Sequence, residues 1–258
     1  MLKKRLIGVV TVRNGWAVQS FGYKKYLPLG KPEVVVENLD RWGADEILIQ
    51  CIDRSYFHLG PNVDLLQKVG TLGLSTPLIY AGGIRDSRDA VEVVSLGADR
   101  VMVDAMLWNQ PENLESIARE LGVQALIANM PISSVNGLLY WHNYKDKNEI
   151  PFHSLNINKL NLDWVSEVML TDWCHEGFLN AFDQRIAKLF PLIDKPLLLF
   201  GGVSSQEQVQ VLMSINNVVA VCIGNSLNYK ELAVQSLKRD SDKMHLRAAQ
   251  YSDETSLV

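Results

Sequence analysis

The sequence predicts one (β/α)8 TIM barrel built from two half-barrel repeats, and three observations support this fold. Eight short apolar runs alternate with amphipathic segments along the 258 residues. Most of these runs are apolar throughout, which is typical of strands buried on both faces of a parallel sheet. The pattern also occurs twice, which favours one closed barrel of a length common for this fold.

The internal repeat is clearest at two glycine pairs that each close an apolar run. Gly82 and Gly83 close a run in the first half, and Gly201 and Gly202 close its counterpart in the second. Further matches, in the same order and at nearly the same spacing, pair Asn14-Gly15 with Asn136-Gly137, Glu46 with Glu167, and Leu107 with Leu227. We therefore expect half-barrels at about residues 1–120 and 121–240, followed by a polar tail over residues 241–258 that frays at the end of the chain.

The elements follow from the periodicity of the apolar residues. The predicted strands span residues 6–12, 46–52, 77–81, 101–103, 125–129, 167–171, 196–200 and 218–223. The predicted helices span residues 32–42, 63–72, 87–96, 113–121, 180–190, 206–215 and 229–237. Two other segments, 21–30 and 138–160, are long enough to act as loops over the site.

Composition excludes several classes of function. The net charge of −4 comes from interspersed charges without a basic run, which argues against nucleic-acid binding. No segment approaches the roughly 18 apolar residues of a membrane helix, and the apolar run at residues 6–12 is short for a signal peptide. The three cysteines are scattered and odd in number, which favours a reduced, cytoplasmic protein.

The two glycine pairs are candidate phosphate sites. Each pair stands where a strand ends and a helix begins, so backbone N–H groups and the positive end of the helix can face an anion. Two copies predict two phosphate sites, or one ligand with a phosphate at each end.

A second constellation follows the predicted strand at residues 167–171. Asp172, Cys174, His175 and Glu176 form either a replacement catalytic cluster or a loop that lines the pocket, with Glu176 or His175 the expected ligand contact. Adjacent residues point in different directions, so only two or three of them can face one ligand. We expect no metal, because no second His/Cys group stands at ligand spacing, and no cofactor.

The segment Trp141 to Tyr144 has two open interpretations. It forms either a lid that carries aromatic side chains over the site or a surface hairpin that packs its own aromatic residues. Cys51 and Cys222 lie within predicted strands and are expected to be inert core residues.

An ordered set of landmarks in this sequence resembles one family. The landmarks are Arg5, Asn14-Gly15, Glu46, Gly82-Gly83, Glu167 and Gly201-Gly202. The set is similar to the HisF-like cyclase subunit of imidazole glycerol phosphate synthase over roughly residues 1–240. The resemblance implies that a HisH-like glutaminase docks at the N-terminal face of the barrel. Ammonia then passes through the barrel to a bis-phosphorylated substrate at the C-terminal face.

The catalytic part of the resemblance is broken. The family's two catalytic aspartates map onto Thr11 and onto Met130 or Pro131, its strand-two carboxylate onto Cys51, and a phosphate-facing lysine onto Gln19. Losing a general acid or base typically costs about 10²- to 10⁴-fold in rate. The resemblance therefore leaves cyclase (lyase) activity doubtful.

The ammonia-entry part of the resemblance is kept. The family's ring of alternating charges maps onto Arg5, Glu46, Arg100 and Glu167, and its acidic residue facing the glutaminase maps onto Asp99. The alternative is that these are ordinary charges at strand ends, worth under ~1 kcal/mol per pair. Because all four positions match, we favour an ammonia gate.

The phosphate-binding part is mixed. At the first site, Gly82 and Gly83 are kept, but Asp104 replaces an asparagine, and a carboxylate there repels phosphate. The second site keeps small residues and uncharged donors. It comprises Gly201, Gly202, Gly224, Asn225 and Ser226.

These observations favour a divergent paralogue that delivers ammonia without ring closure. The chain resembles the barrel proteins of surface-polysaccharide (lipopolysaccharide O-antigen) synthesis, a resemblance that implies a separate ATP-dependent amidotransferase placing an acetamidino group on a nucleotide-activated sugar. The alternative is an active cyclase of histidine biosynthesis that uses unmapped residues such as Asp172 or Glu176. A third hypothesis is a stand-alone barrel that binds a phosphorylated small molecule.

Overall fold

The computed structural model describes residues 3–144, 146–191, 194–230, 232–239 and 244–248. Twelve strands form one sheet, and eight of them are parallel and close into a barrel, which confirms the predicted fold. In chain order the strands are β1 (Arg5–Arg13), β2 (Trp16–Phe21), β3 (Lys25–Gly30), β4 (Glu46–Cys51), β5 (Leu78–Ala81), β6 (Arg100–Val103), β7 (Leu126–Val135), β8 (Leu138–Asn143), β9 (Asn148–Pro151), β10 (Glu167–Asp172), β11 (Leu197–Phe200) and β12 (Val218–Ile223).

The barrel runs β1-β4-β5-β6-β7-β10-β11-β12 and closes where β12 pairs with β1. Helices cover its outside: α1 (Pro32–Arg41), α2 (Val63–Gly70), α3 (Ser87–Ser95), α4 (Ala105–Asn109), α5 (Asn113–Leu121), α6 (Gln184–Leu189), α7 (Gln206–Met213) and α8 (Ala233–Leu237). One apolar cluster lies between the helices and the strands, and a second fills the interior of the barrel.

Side-chain caps fix several helix starts. Asn62, Asp86 and Ser205 each accept a hydrogen bond from the backbone N–H three residues on, at the starts of α2, α3 and α7. Asp183 accepts the N–H of Arg185, so α6 begins at Gln184 and is shorter than the predicted helix over residues 180–190. Helix α8 is also shorter than predicted, and α4 was not predicted.

The two long segments predicted as loops are mostly antiparallel hairpins. Strands β2 and β3 follow the first barrel strand, and β8 and β9 follow the fifth. Asn14 and Gly15, and equally Asn136 and Gly137, have φ values of 50°, 78°, 51° and 77°. Two consecutive left-handed residues make the tight turn that matches strand twist, which explains an Asn-Gly pair at both places.

Part of the predicted tail packs against the barrel. Residues 241–243 and 249–258 lie outside the described residues, but Met244 and Leu246 are buried, and Leu246 bridges to Lys4 beside β1. Just before this segment, the ammonium of Lys238 lies 2.8 Å from Asp45 Oδ1, and both side chains are almost fully buried. The segment after α8 is therefore fixed at the N-terminal face of the barrel, at least over residues 244–248.

Candidate functional site

The N-terminal end of the barrel carries a closed ring of ion pairs, which we call the gate ring: Arg5, Glu46, Arg100 and Glu167. Each residue opens its strand, and its side chain points into the barrel because alternate strand residues share one face. Arg5 donates to Glu46 Oε1 at 2.7 Å and to Glu167 Oε1 at 2.5 Å. Arg100 Nη1 lies 2.7 Å from Glu167 Oε2 and 3.8 Å from Glu46 Oε2.

The electrostatics of the gate ring differ from those of surface ion pairs. The four side chains are only 9–14% exposed. Burial raises the pKa of Glu46, and the charges of Arg5 and Arg100 oppose that rise. The two Arg100 contacts are ion contacts without hydrogen-bond alignment, since Glu46 Oε2 and Glu167 Oε2 have no hydrogen-bond partner among the described residues. The ring is therefore neutral, closed and tighter on the Arg5 side.

Asp99, the predicted partner-facing residue, is exposed at the same end. Its carboxylate accepts the backbone N–H of Leu78 at 2.7 Å, which fixes the start of β5. Asp45 does the same for Leu6 at 2.7 Å. One oxygen of Asp99 thus has a structural role, and the residue still presents negative charge on the N-terminal face.

The interior of the barrel above the gate ring, which we call the bore, is an apolar core. Side chains from the barrel strands fill it, and among the described residues the members of this interior cluster are all apolar. They are Ile7, Val9, Leu48, Ile79, Ala81, Met102, Ile127, Met169, Leu198, Phe200, Ala220 and Cys222. The sulfur of Cys222 belongs to this lining, and burial raises its pKa, so the thiol is inert.

The mouth, at the carboxyl ends of the barrel strands, holds a cavity of about 640 Å³. Pro131, His142, Tyr144 and Trp173 line it, together with both residues of the first glycine pair. Met130 instead packs into the layer between the strands and the helices and is fully buried. Of the two positions that the resemblance left open, Pro131 therefore faces the mouth and Met130 does not.

The other predicted catalytic positions also lack a carboxylate facing the mouth. Thr11 is buried in β1, beside Gln50 of β4 in the sheet register. Cys51 belongs to the outer apolar layer, where burial raises its pKa to about 12. Neither side chain can serve as an acid or base near neutral pH.

A polar floor separates the bore from the mouth: Gln50, Asp104, Asn129 and Thr171, all lining the cavity. Thr171 donates to Asn129 Oδ1 at 2.7 Å, and Asn129 Nδ2 donates to Asp104 Oδ2 at 3.1 Å. Asp104 Oδ1 is shielded from solvent and has no hydrogen-bond partner among the described residues. Burial raises the pKa of Asp104 to about 7, and the hydrogen bond from Asn129 only partly opposes this rise.

None of the four residues of the predicted cluster lines the large cavity, whereas Trp173, which stands between them in the sequence, does. Trp173 stacks on His142 with ring centroids 3.8 Å apart. Asp172 points away from the mouth and accepts hydrogen bonds from His175 Nδ1 and from the N–H of Asp183, both at 2.8 Å. Burial raises the pKa of Asp172. His175 does not line this cavity, so the geometry does not support the expected contact between His175 and a ligand there.

Glu176 forms a latch that holds the β2–β3 hairpin. Its Oε2 accepts the hydroxyl of Ser20 at 2.8 Å and the N–H of Tyr23 at 3.3 Å, and its carbonyl accepts the N–H of Gly22 at 2.8 Å. Burial raises the pKa of Glu176. The carboxylate is therefore used in docking a hairpin, and it borders only a smaller, separate cavity.

That smaller cavity lies at the second glycine pair and measures only about 20 Å³. Asn225 donates to the carbonyl of Ser20 at 2.6 Å, while the Ser226 hydroxyl has no hydrogen-bond partner among the described residues. A volume of this size holds about one water molecule. A phosphate group is larger than this cavity, so its binding there needs the lining residues to move.

The glycine pairs have a structural requirement of their own. A side chain at Gly83 would place its Cβ 2.1 Å from Gly60 O, and one at Gly201 would reach within 2.4 Å of Asp172 O. At the first pair, the N–H of Gly83 already donates to the Ser55 hydroxyl at 2.9 Å. Close backbone packing thus explains why glycine occupies these positions, even without a bound anion.

Trp141 to Tyr144 combines both interpretations of that segment. Trp141 is fully buried and packs on Trp108 with ring centroids 4.0 Å apart, whereas His142 and Tyr144 line the mouth.

Within the described ranges, no three His, Cys, Asp or Glu side chains gather as a metal site would require. None of the helices in the described part of the chain is long and apolar enough to cross a membrane.

The fold is a closed (β/α)8 barrel, with an ion-paired ring at one end, an apolar bore, and a ligand-sized mouth at the other end. These features define a class of barrel proteins whose site lies at the carboxyl ends of the strands. Within this class the chain belongs to the histidine biosynthesis protein family, whose family model matches residues 5–233.

Named relatives agree with this assignment at low identity. The chain is 24% identical to the imidazole glycerol phosphate synthase subunit HisF of Elusimicrobium minutum, over 92% of this chain and 96% of the relative. It is 24% identical to HisF of Flavobacterium psychrophilum, over 92% and 95%. It is 25% identical to a Vibrio vulnificus protein named "Putative imidazole glycerol phosphate synthase subunit hisF2", over 81% and 77%.

Proposed function

We propose that this chain is the HisF-like barrel subunit of a glutamine-dependent amidotransferase system. In this role it binds a HisH-like glutaminase at its N-terminal face through Asp99 and the gate ring and conducts ammonia along the bore. The cyclase chemistry of the family is lost. The observation that carries the proposal is the contrast between a complete gate ring and a mouth with Thr11 and Pro131 where the family has aspartates.

The proposed conduit is supported by the interior of the barrel. Neutral ammonia can cross an apolar bore, whereas an ammonium ion without a partner is expensive to bury there. The gate ring blocks the bore in its closed form, because Arg5 bonds both glutamates at once. Opening therefore requires the ring to exchange partners, which a docked glutaminase can drive through contacts on the same face.

The proposed fate of the ammonia is a separate acceptor enzyme. We infer an ATP-dependent amidotransferase that makes an acetamidino group on a nucleotide-activated sugar for lipopolysaccharide, because Thr11 and Pro131 stand where the family resemblance places the two catalytic aspartates. The three free cysteines are consistent with the cytoplasmic location this role implies. A phosphorylated ligand at the second glycine pair, with Gly201, Gly202, Gly224, Asn225 and Ser226 as donors, remains part of the proposal and depends on widening of the smaller cavity.

The gate ring provides the test of the proposal. The full chain is mixed with its candidate glutaminase, and glutamate release is measured for the wild type, for Arg5→Ala and for Glu167→Ala. Arg85→Ala, which removes an ion pair with an exposed arginine on another part of the barrel, serves as the matched control. We expect the wild type and the control to stimulate the glutaminase. With either gate variant, we expect the rate of glutamate release to change at least tenfold. If the gate variants leave every partner-dependent activity unchanged, the conduit role is wrong.

An active cyclase of histidine biosynthesis is the second candidate, favoured by the names of the relatives. Complementation of a strain that lacks the histidine cyclase separates the two. Growth without histidine supports the cyclase, and failure of a well-expressed chain to support growth favours ammonia delivery.

A further inference from the structure

We propose that Asp104 forms an amine-binding site at the inner end of the mouth, where its carboxyl group accepts N–H hydrogen bonds from ammonia or ammonium that leaves the bore. The identity of the ligand rests on the proposed function, since ammonia is the amine that such a subunit delivers. The site itself rests on the position of Asp104 and on its unpaired oxygen.

The position follows from the alternation along one strand. Arg100, Met102 and Asp104 succeed one another at two-residue intervals, so they place the gate ring, the bore and the polar floor on one line. At about 3.3 Å per residue, Asp104 lies roughly 13 Å above Arg100 along the strand. A molecule that moves along this line passes apolar side chains until it reaches Asp104 and its neighbours Asn129 and Thr171.

The polar floor leaves one acceptor free. Thr171 fixes the orientation of Asn129, whose amide nitrogen then donates to Asp104 Oδ2. Oδ1 is buried and has no donor among the described residues. A buried acceptor without a partner destabilises the folded state. A ligand N–H group at this oxygen removes that cost, which is a reason for the site to prefer an amine.

The same geometry disfavours phosphate in this half of the mouth. A carboxylate repels a phosphate group, and the nearby N–H of Gly83 is already bound by the Ser55 hydroxyl. Two nearby cations face rings: Arg13 lies over Tyr26, 4.2 Å from the ring centroid, and Lys24 lies over Trp173 at 5.7 Å. Asp104 therefore offers an acceptor to donors at the inner end of the mouth, and the exposed Lys147 is a further cation on the lining of the cavity.

The test uses the full chain alone, labelled with nitrogen-15. The side-chain amide signals of Asn129 report on Asp104 during titration with methylammonium chloride. Tetramethylammonium chloride is the matched probe, because it carries the charge but no N–H donor, and sodium phosphate is the anionic probe. Asp104→Asn is compared with Asp53→Asn, a carboxylate elsewhere on the same cavity.

We expect a saturable response to methylammonium at millimolar concentrations in the wild type and in Asp53→Asn. The response of Asp104→Asn should need at least tenfold more methylammonium, and tetramethylammonium should give no saturation. Equal curves for the wild type and Asp104→Asn would overturn the site, as would saturation by tetramethylammonium or tighter binding of phosphate than of methylammonium.

This measurement is independent of any partner. A chain that binds methylammonium through Asp104 but never stimulates a glutaminase keeps the amine site and refutes the delivery role. A chain that stimulates a glutaminase through its gate ring but ignores methylammonium keeps the delivery role and refutes the amine site.

Discussion

The two ends of the barrel use charged residues in opposite ways. At the N-terminal end, Arg5 and Arg100 neutralise Glu46 and Glu167, so the gate ring satisfies its own charges. At the mouth, Asp104 has no cationic partner within the described ion pairs and keeps an unpaired oxygen. The difference teaches that the gate ring balances its own charges, since the unpaired oxygens of Glu46 and Glu167 still face Arg100, whereas Asp104 has only a neutral hydrogen-bond partner, Asn129.

The ends also differ in what holds them together. Below the gate ring, Lys238 bonds both Asp45 and the carbonyl of Gly43, so the residue that follows α8 is fixed by a buried ion pair. Above the bore, the β2–β3 hairpin is held by the Glu176 latch, and aromatic stacking joins His142 to Trp173. We therefore expect a rigid N-terminal end and a more easily opened mouth.

The largest effect is expected from Asp45→Ala at the rigid end. This change leaves the ammonium of Lys238 buried without its carboxylate, and breaking a buried pair from one side costs about 3–5 kcal/mol. Urea unfolding measures the loss. Glu115→Ala, which removes a surface ion pair with Arg119, is the control and should cost under about 1 kcal/mol. Equal losses in the two variants would show that the N-terminal end is not specially stabilised.

Glu176→Ala should open the mouth. The change leaves the Ser20 hydroxyl and the Tyr23 N–H without their acceptor, and we expect about 2–3 kcal/mol lower stability of the hairpin. Hydrogen exchange should become faster at residues 16–30, while exchange in β10 and β11 stays slow. If exchange accelerates everywhere alike, the latch is part of the global core and the distinction between the two ends fails.

Asp104→Asn should stabilise the fold, and only at neutral to alkaline pH. The folded-state pKa is raised from its ordinary value of 3.8 to about 7, so the wild type loses stability as pH rises between these values. Each pKa unit is worth 1.36 kcal/mol, and because Asp104 borders the cavity we expect a gain of about 1–3 kcal/mol at pH 8. The gain should vanish near pH 3.5. A gain that is the same at both pH values would mean that Asp104 ionises normally.

The smallest effect is expected from His142→Ala, which removes the stacking partner of Trp173. A stacked aromatic pair is worth about 0.5–1.5 kcal/mol beyond its burial. Thermal unfolding should show a fall of a few degrees. His153→Ala, an exposed histidine on the segment that follows β9, should leave the melting temperature unchanged. A larger fall for His153→Ala would place the stabilising contacts outside the mouth.

The sequence predicted the barrel well because its strands are buried on both faces, and a continuous apolar run marks such a strand without further information. Strand β12 was predicted at its observed limits, 218–223, and the other barrel strands except β7 within one or two residues. The hairpins were missed, although Asn14-Gly15 and Asn136-Gly137 are strong turn signals. They were used only as landmarks of the repeat.

The arrangement of the mouth could not be predicted in the same way. The partners of Glu176 and Asp104 come from distant parts of the chain, Ser20 and Asn129, and depend on how the hairpins dock. Strand alternation, however, decides that Pro131 and not Met130 faces the mouth, and an exact strand register would have shown it. Local spacing thus defines which residues end a strand, and tertiary contacts decide which of them remain available to a ligand.

The most direct test of the central claim is a coupled assay of the two ends. The purified chain is mixed with its candidate glutaminase, glutamine and the bis-phosphorylated ribonucleotide substrate of the cyclase, and both glutamate and imidazole product are followed. The account predicts glutamate release without imidazole product, because the gate ring is complete and the resemblance maps the family's two aspartates onto Thr11 and Pro131. Turnover to imidazole glycerol phosphate at ordinary enzyme rates would contradict it.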